Sequence, residues 1–188
     1  IALAFFKLLA RQSRVAREAR GGVEAHAIDV DVILVRHQCG EKMRDGAARA
    51  YEAAGVVASV EPFIADMAGA YAWADVVVCR AGALTLAEIC AAGVASVLVP
   101  LPTAVDDHQT KNALYLVQRR AAVMLKQDGK LTERLTMELR NLLLDSATRL
   151  FMAEAARSLA KLDAADRVAD IVLEVAAQHA ATHRETRA

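Results

Sequence analysis

Thr85 and Glu88 stand three residues apart in RAGALTLAE, residues 80–88, and Asp106, Gln109 and Asn112 repeat that step in DDHQTKN, residues 106–112. A three-residue step keeps side chains on one side of a helix. On the first face Glu88 lies one turn deeper than Thr85, where its carboxylate can accept two hydrogen bonds from a vicinal diol such as a ribose presents. On the second face amide side chains both donate and accept, which suits sugar hydroxyls. Ahead of Thr85, Gly82 has no side chain to hold a diphosphate away from the backbone. Ala83, Leu84 and Thr85 would supply the first amides of a helix, at the positive end of its dipole. Each feature also has a plainer reading: a capped turn, a solvated glutamate, a polar helix face.

Such residues need strands that deliver their carboxyl ends to helix starts, and the sequence supplies that unit repeatedly. Residues 76–79 form an apolar strand, 84–92 a helix closed by Gly93, and 96–99 a strand stopped by Pro100. Upstream, 30–35 and 56–60 read as strands around a helix at 41–54, followed by a helix at 66–74. Downstream come a helix at 106–121, a strand at 122–125 and a helix at 132–145, after which the chain is wholly helical. Continuous apolar strands separated by helices predict an α/β class: a Rossmann-like parallel sheet with helices on both faces and a helical carboxyl terminus. One domain is expected over residues 30–178, with a frayed tail at 179–188 and a divergent or aberrant segment at 1–29.

Composition excludes several classes of function. Lys plus Arg equals Asp plus Glu at 23 each, so no global field favours nucleic acid, and none is expected as a partner. Cys39, Cys79 and Cys90 are three, without CxxC spacing, which argues against a disulfide framework or a zinc site and fits a reducing cytoplasm. The apolar opening IALAFFKLLA is far shorter than the roughly 20 residues that span a bilayer.

The runs FIADMAGAYAWADVVVCRAGALTLAEICAAG and VPLPTAVDDHQTKNA resemble the donor-binding half of the MurG family of N-acetylglucosaminyltransferases. The likeness starts near HQCG at His37 and continues through MAEAARSLAKLDAADRVADIVLEVA. It implies one half of a GT-B glycosyltransferase, the half that holds UDP-N-acetylglucosamine for transfer to lipid I, giving lipid II in peptidoglycan synthesis. Position by position, it implies that the Ile64 backbone meets the uracil edge and that Arg80 sits near the diphosphate. Gly82, Ala83, Leu84, Thr85, Leu86 and Ala87 become the donor-binding stretch that leads to Glu88 at the ribose. Gln109, with Asn112 beside it, becomes the ligand of the sugar hydroxyls.

The resemblance implies no cofactor and no metal. It implies a lipid-linked acceptor held by the missing domain, with the protein cytoplasmic or peripheral at the cytoplasmic face of the bacterial inner membrane. An apolar face is expected to lie exposed where that domain would dock. No catalytic residue is assigned, because the acceptor site and the base that inverting transfer needs belong to that other half; His37 and His108 read as structural. The family's GGSxGA-type loop is not found in residues 1–29, where Gly21 and Gly22 are the only adjacent glycines. Two other functions fit the same fold: another UDP-sugar glycosyltransferase or epimerase, and a non-catalytic nucleotide-sugar-binding module.

Overall fold

All four residues of Val76–Cys79 are buried, and because neighbours on a strand point to opposite faces, the sheet must be covered on both sides. The computed structural model describes residues 3–9, 32–103 and 105–185. Its strands are β1 (Leu3–Leu9), β2 (Val32–Gln38), β3 (Val57–Glu61), β4 (Val76–Cys79), β5 (Ala95–Leu98) and β6 (Val123–Met124). They form one sheet in the order β3-β2-β1-β4-β5-β6. The helices are α1 (Arg44–Ala53), α2 (Met67–Trp73), α3 (Ala83–Ala92), α4 (His108–Val117), α5 (Leu131–Leu144), α6 (Ser146–Ser158) and α7 (Ala164–Glu185).

Period-two alternation sorts the strands into two cores. Phe5, Val77, Cys79 and Leu98 face α2, α3 and α4 and pack with Tyr71, Leu86, Ile89 and Leu116. Val76, Val78, Ala95 and Val97 face the other way, onto Leu142 and Leu143 of α5 and Met152 of α6. The order β4, α3, β5 is the repeated strand-to-helix unit, and β4 pairs in parallel with β5 as β5 does with β6. Both turns that follow β4 and β5 therefore open on the same edge of the sheet.

Two expectations need correction. The sheet is not wholly parallel: β1 runs antiparallel to β2 from Leu3↔Gln38 to Leu9↔Val32 and antiparallel to β4 from Leu3↔Cys79 to Phe6↔Val76. The opening apolar run thus finds its burial at the sheet centre, and composition carries no mark of strand direction. The helix expected at 106–121 begins only at His108, because Asp106 and Asp107 have φ of +54° and +52° and cannot lie in a right-handed helix. At the other end α7 extends to Glu185. The expected strand start at 30 and 31 and the readings for 10–29 lie outside the described residues.

Helix ends are set by local chemistry. Asp66 accepts from Gly69 N at 2.8 Å and starts α2, an approach that a side chain on Gly69 would obstruct. Asp145 accepts from Thr148 N at 3.1 Å and starts α6, while Arg149 of the same turn donates to Leu142 O and Leu143 O at the end of α5. Arg157 of α6 donates to Ala91 O, docking α6 on the end of α3. On α7, Val168, Ile171, Val172 and Val175 lie exposed at helical spacing. Among the described residues no helix is long and apolar enough to cross a membrane.

Gly93 closes α3 in the left-handed region at φ +66°, and a Cβ there would stand 3.2 Å from Arg157 Cβ. Gly93→Ala is expected to cost about 1–2 kcal/mol, from the left-handed backbone of a non-glycine residue and the displaced α6 contact. Urea unfolding checks it: the midpoint falls while the m-value stays unchanged.

Candidate functional site

Cys79 ends β4 and Gly82 begins α3, leaving Arg80 and Ala81 to make the turn. Gly82 takes an extended conformation, φ −68° and ψ 141°, and no side chain caps the helix. Leu86 N bonds Gly82 O at 3.0 Å, the first backbone bond of α3. Helix geometry therefore leaves Ala83, Leu84 and Thr85 as the amides without intrahelical partners. Leu86, expected in the donor-binding stretch, gives its amide to Gly82 O and buries its side chain in the core. Ala83, Leu84 and Ala87 are exposed and Thr85 half-buried.

Glu88 follows Thr85 by three residues and stands on the exposed side of α3, about 4.5 Å further along the axis. Tyr71 of α2 donates its phenol to Glu88 Oε2 at 2.9 Å. Only 5% of Tyr71 is exposed, and its ring meets Phe5 of β1 edge-on, with centroids 5.1 Å apart. Burial, and after it the Glu88 bond, push the Tyr71 phenol far above its ordinary 10, so it remains a donor wherever the chain is folded. Behind it burial raises the Cys79 thiol to about 12, which makes it an inert apolar group and no nucleophile. Glu88 and Tyr71 line a cavity of about 450 Å³ between α2 and α3, walled by Met67, Ala68 and Ala91.

Beyond the second turn, from β5 to α4, the helix α4 carries Gln109 and Asn112. Gln109 Oε1 accepts from Leu101 N at 3.0 Å, and Asn112 Nδ2 donates to Ala81 O at 3.2 Å. Arg80 donates from Nη1 to Val99 O at 3.0 Å and to Pro100 O at 3.1 Å. Through Nη1, Arg80 serves the exit of β5, whose terminal carbonyls need donors. Arg80 and Asn112 thus reach in opposite directions between the two turns and fasten them together. Asp106, expected on one face with Gln109 and Asn112, precedes α4 and leaves that face to the two amides.

Ile64 lies on the segment between β3 and α2, fully buried, and its amide donates to Gln38 Oε1 at 2.8 Å. A base that met the Ile64 backbone would also meet the Gln38 side chain. Next to Gln38, His37 Nδ1 lies 3.3 Å from the Tyr51 hydroxyl, with the rings edge to face. Cys39, Cys79 and Cys90 are all free thiols. No group of three or more His, Cys, Asp or Glu among the described residues could hold a metal ion.

Residues 8–168 match the model of the glycosyltransferase family 28 C-terminal domain. The chain belongs to this family. It is similar to enzymes named UDP-N-acetylglucosamine–N-acetylmuramyl-(pentapeptide) pyrophosphoryl-undecaprenol N-acetylglucosamine transferase. It is 63% identical over 166 residues to that of Xanthomonas campestris pv. campestris strain B100, covering 87% of this chain and 39% of the relative. It is 70% identical over 144 residues to that of Xanthomonas axonopodis pv. citri strain 306, covering 77% of this chain and 34% of the relative. Among solved structures, Acinetobacter baumannii MurG superposes with a TM-score of 0.70 at 40% identity, over 77% of this chain and 42% of that one. The chain thus spans about two fifths of the length of these relatives.

Within this family 28 domain, the groups that sequence reasoning missed are Tyr71 and Gln38. Neither carries a spacing signal: each acts on a residue far along the chain, Glu88 and Ile64 respectively, and only the fold brings the pairs together. Leu3–Leu9 had no assigned element, yet it supplies Phe5 behind Tyr71.

Burial lowers His37 from its ordinary 6.5. Between the folded and unfolded values the unfolded chain binds more protons, so stability falls as pH drops through 6.5 and levels off below the folded value. Urea midpoints measured from about pH 7.5 down to about 5.5 check this. His37→Gln is expected to remove that component of the decline.

Proposed function

We propose that this chain is the donor-binding part of an N-acetylglucosaminyltransferase that takes UDP-N-acetylglucosamine as its sugar donor. The observation that carries the reading is the uncapped start of α3 with Glu88 one turn deeper on its exposed side, next to the start of α4, which bears Gln109. The amides of Ala83, Leu84 and Thr85 would face the diphosphate at the positive end of the helix, with Gly82 giving the close approach. Glu88 would take the ribose diol, and the Ile64 segment with Gln38 the uracil. Gln109 spends its carbonyl oxygen on Leu101 N, which leaves its amide N–H groups for sugar hydroxyls; Asn112 beside it ties α4 to the turn before α3 through Ala81 O.

The names of the family relatives supply the acceptor, an N-acetylmuramyl-(pentapeptide) pyrophosphoryl-undecaprenol. In this proposal the lipid-linked acceptor and the base that deprotonates its hydroxyl are held by the part of the relatives that this chain does not span. The step it serves is the conversion of lipid I to lipid II at the cytoplasmic face of the membrane. This chain's own contribution to the reaction is to orient the donor and to stabilise the charge that grows on the departing diphosphate through fixed backbone donors.

Calorimetric titration with UDP-N-acetylglucosamine, UDP-glucose as competitor, tests the reading. Saturable binding that prefers the N-acetyl sugar is expected, and Glu88→Ala should weaken it by roughly tenfold or more, as lost hydrogen bonds to a charged group do. A folded chain that releases no heat with the donor, or binds both sugars through an unchanged Glu88→Ala variant, would overturn it.

A further inference from the structure

We infer that Tyr71 is the positioning residue of the ribose subsite: its phenol holds Glu88 Oε2 so that the carboxylate reaches a diol already oriented, and discrimination between ribose and 2′-deoxyribose depends on this bond. The inference rests on the donor-site reading above and deepens it. Glu88 is exposed, and a free glutamate on a helix surface samples several rotamers, whose loss on binding weakens the ligand's hold. The Tyr71 bond at 2.9 Å removes that freedom in advance. A carboxylate has about four acceptor directions, so one phenol donor leaves enough for both hydroxyls of a diol.

The donor of that bond is itself fixed. Tyr71 is 5% exposed, its ring is packed edge-on against Phe5 of the central strand, and α2, which carries it, is started by the Asp66 cap. The hydroxyl emerges from this packing on the wall of the α2–α3 cavity, where Glu88 forms the facing wall. A phenol needing only burial relief could bond any nearby carbonyl; here it selects the one carboxylate that lies a turn from the uncapped amides of α3.

The test titrates UDP and 2′-deoxy-UDP into the chain and its Tyr71→Phe variant, which keeps the ring and its contact with Phe5. The unaltered chain is expected to favour UDP. Tyr71→Phe should weaken UDP by roughly fivefold, the ordering of about one long side chain, while 2′-deoxy-UDP, which offers Glu88 only its 3′-hydroxyl, weakens less, so the preference shrinks. In a Glu88→Ala background, Tyr71→Phe should have no further effect on either nucleotide. A lower melting temperature with the preference intact, or equal weakening of both nucleotides, would leave Tyr71 a purely structural residue and overturn the inference alone. An unaltered chain that binds UDP without preferring it to the 2′-deoxy form overturns both the inference and the ribose role of Glu88; absence of UDP binding sinks the donor reading with them. Should the variant not fold, ¹³C-labelled tyrosine in the unaltered chain gives the same decision: the Tyr71 ring-carbon resonance must shift further with UDP than with 2′-deoxy-UDP, which keeps only the 3′-hydroxyl, and equal shifts overturn it.

Discussion

β4 and β5 are buried on both faces along their whole length, and this constraint orders most of what surrounds them. A strand with Val76 and Val78 on one side and Val77 and Cys79 on the other cannot be stable until helices cover both, which brings α2, α3 and α4 to one face and α5 and α6 to the other. The chain can then leave the sheet only at strand ends. Since the two strands are parallel, their exits fall side by side, and α3 and α4 both begin there. The candidate site is a consequence of that burial, because polar backbone that the sheet interior excludes must gather at the sheet's edge.

At this edge the charged and amide side chains serve the backbone as much as any ligand. Arg80 satisfies carbonyls of Val99 and Pro100, Asn112 satisfies Ala81, and Gln109 satisfies the amide of Leu101. The Arg80 and Asn112 bonds cross between the two turns, the Gln109 bond braces the second, and together they set the spacing before anything binds. Fixed donors are worth more to a developing charge than mobile ones, since no reorganisation is needed when the charge appears. A residue that holds a turn and a residue that touches a substrate are therefore not exclusive descriptions here. Gln109 spends only one end of its amide on the backbone.

The centre of the sheet reaches the same site by a different route. Phe5 on β1 packs against Tyr71, and Tyr71 bonds Glu88, so a strand of seven residues supports a carboxylate on the surface through one aromatic contact and one hydrogen bond. Nothing in the apolar pattern of the first residues distinguishes this role from simple burial. Antiparallel pairing with both β2 and β4 places Phe5 opposite Val77 and aims it at α2.

The sequence by itself determined the local units: the apolar strand at 76–79, the helix closed by Gly93, the strand stopped by Pro100, and the step from Thr85 to Glu88 that puts both on one side of α3. These are legible because burial, capping and helical period act over a few residues, and a few residues are all that a local pattern contains. It also carried the family, since the motifs of the two turns are contiguous. What only the tertiary structure decided is direction and partnership. It set the antiparallel course of β1, the turn of Arg80 into the β5 exit, the break at Asp106 and Asp107, and the pairing of Tyr71 with Glu88 and of Gln38 with Ile64. Each of these joins residues from separate elements, or bends the chain to let them meet, and the free energy that selects them arises only after the sheet has brought those elements together.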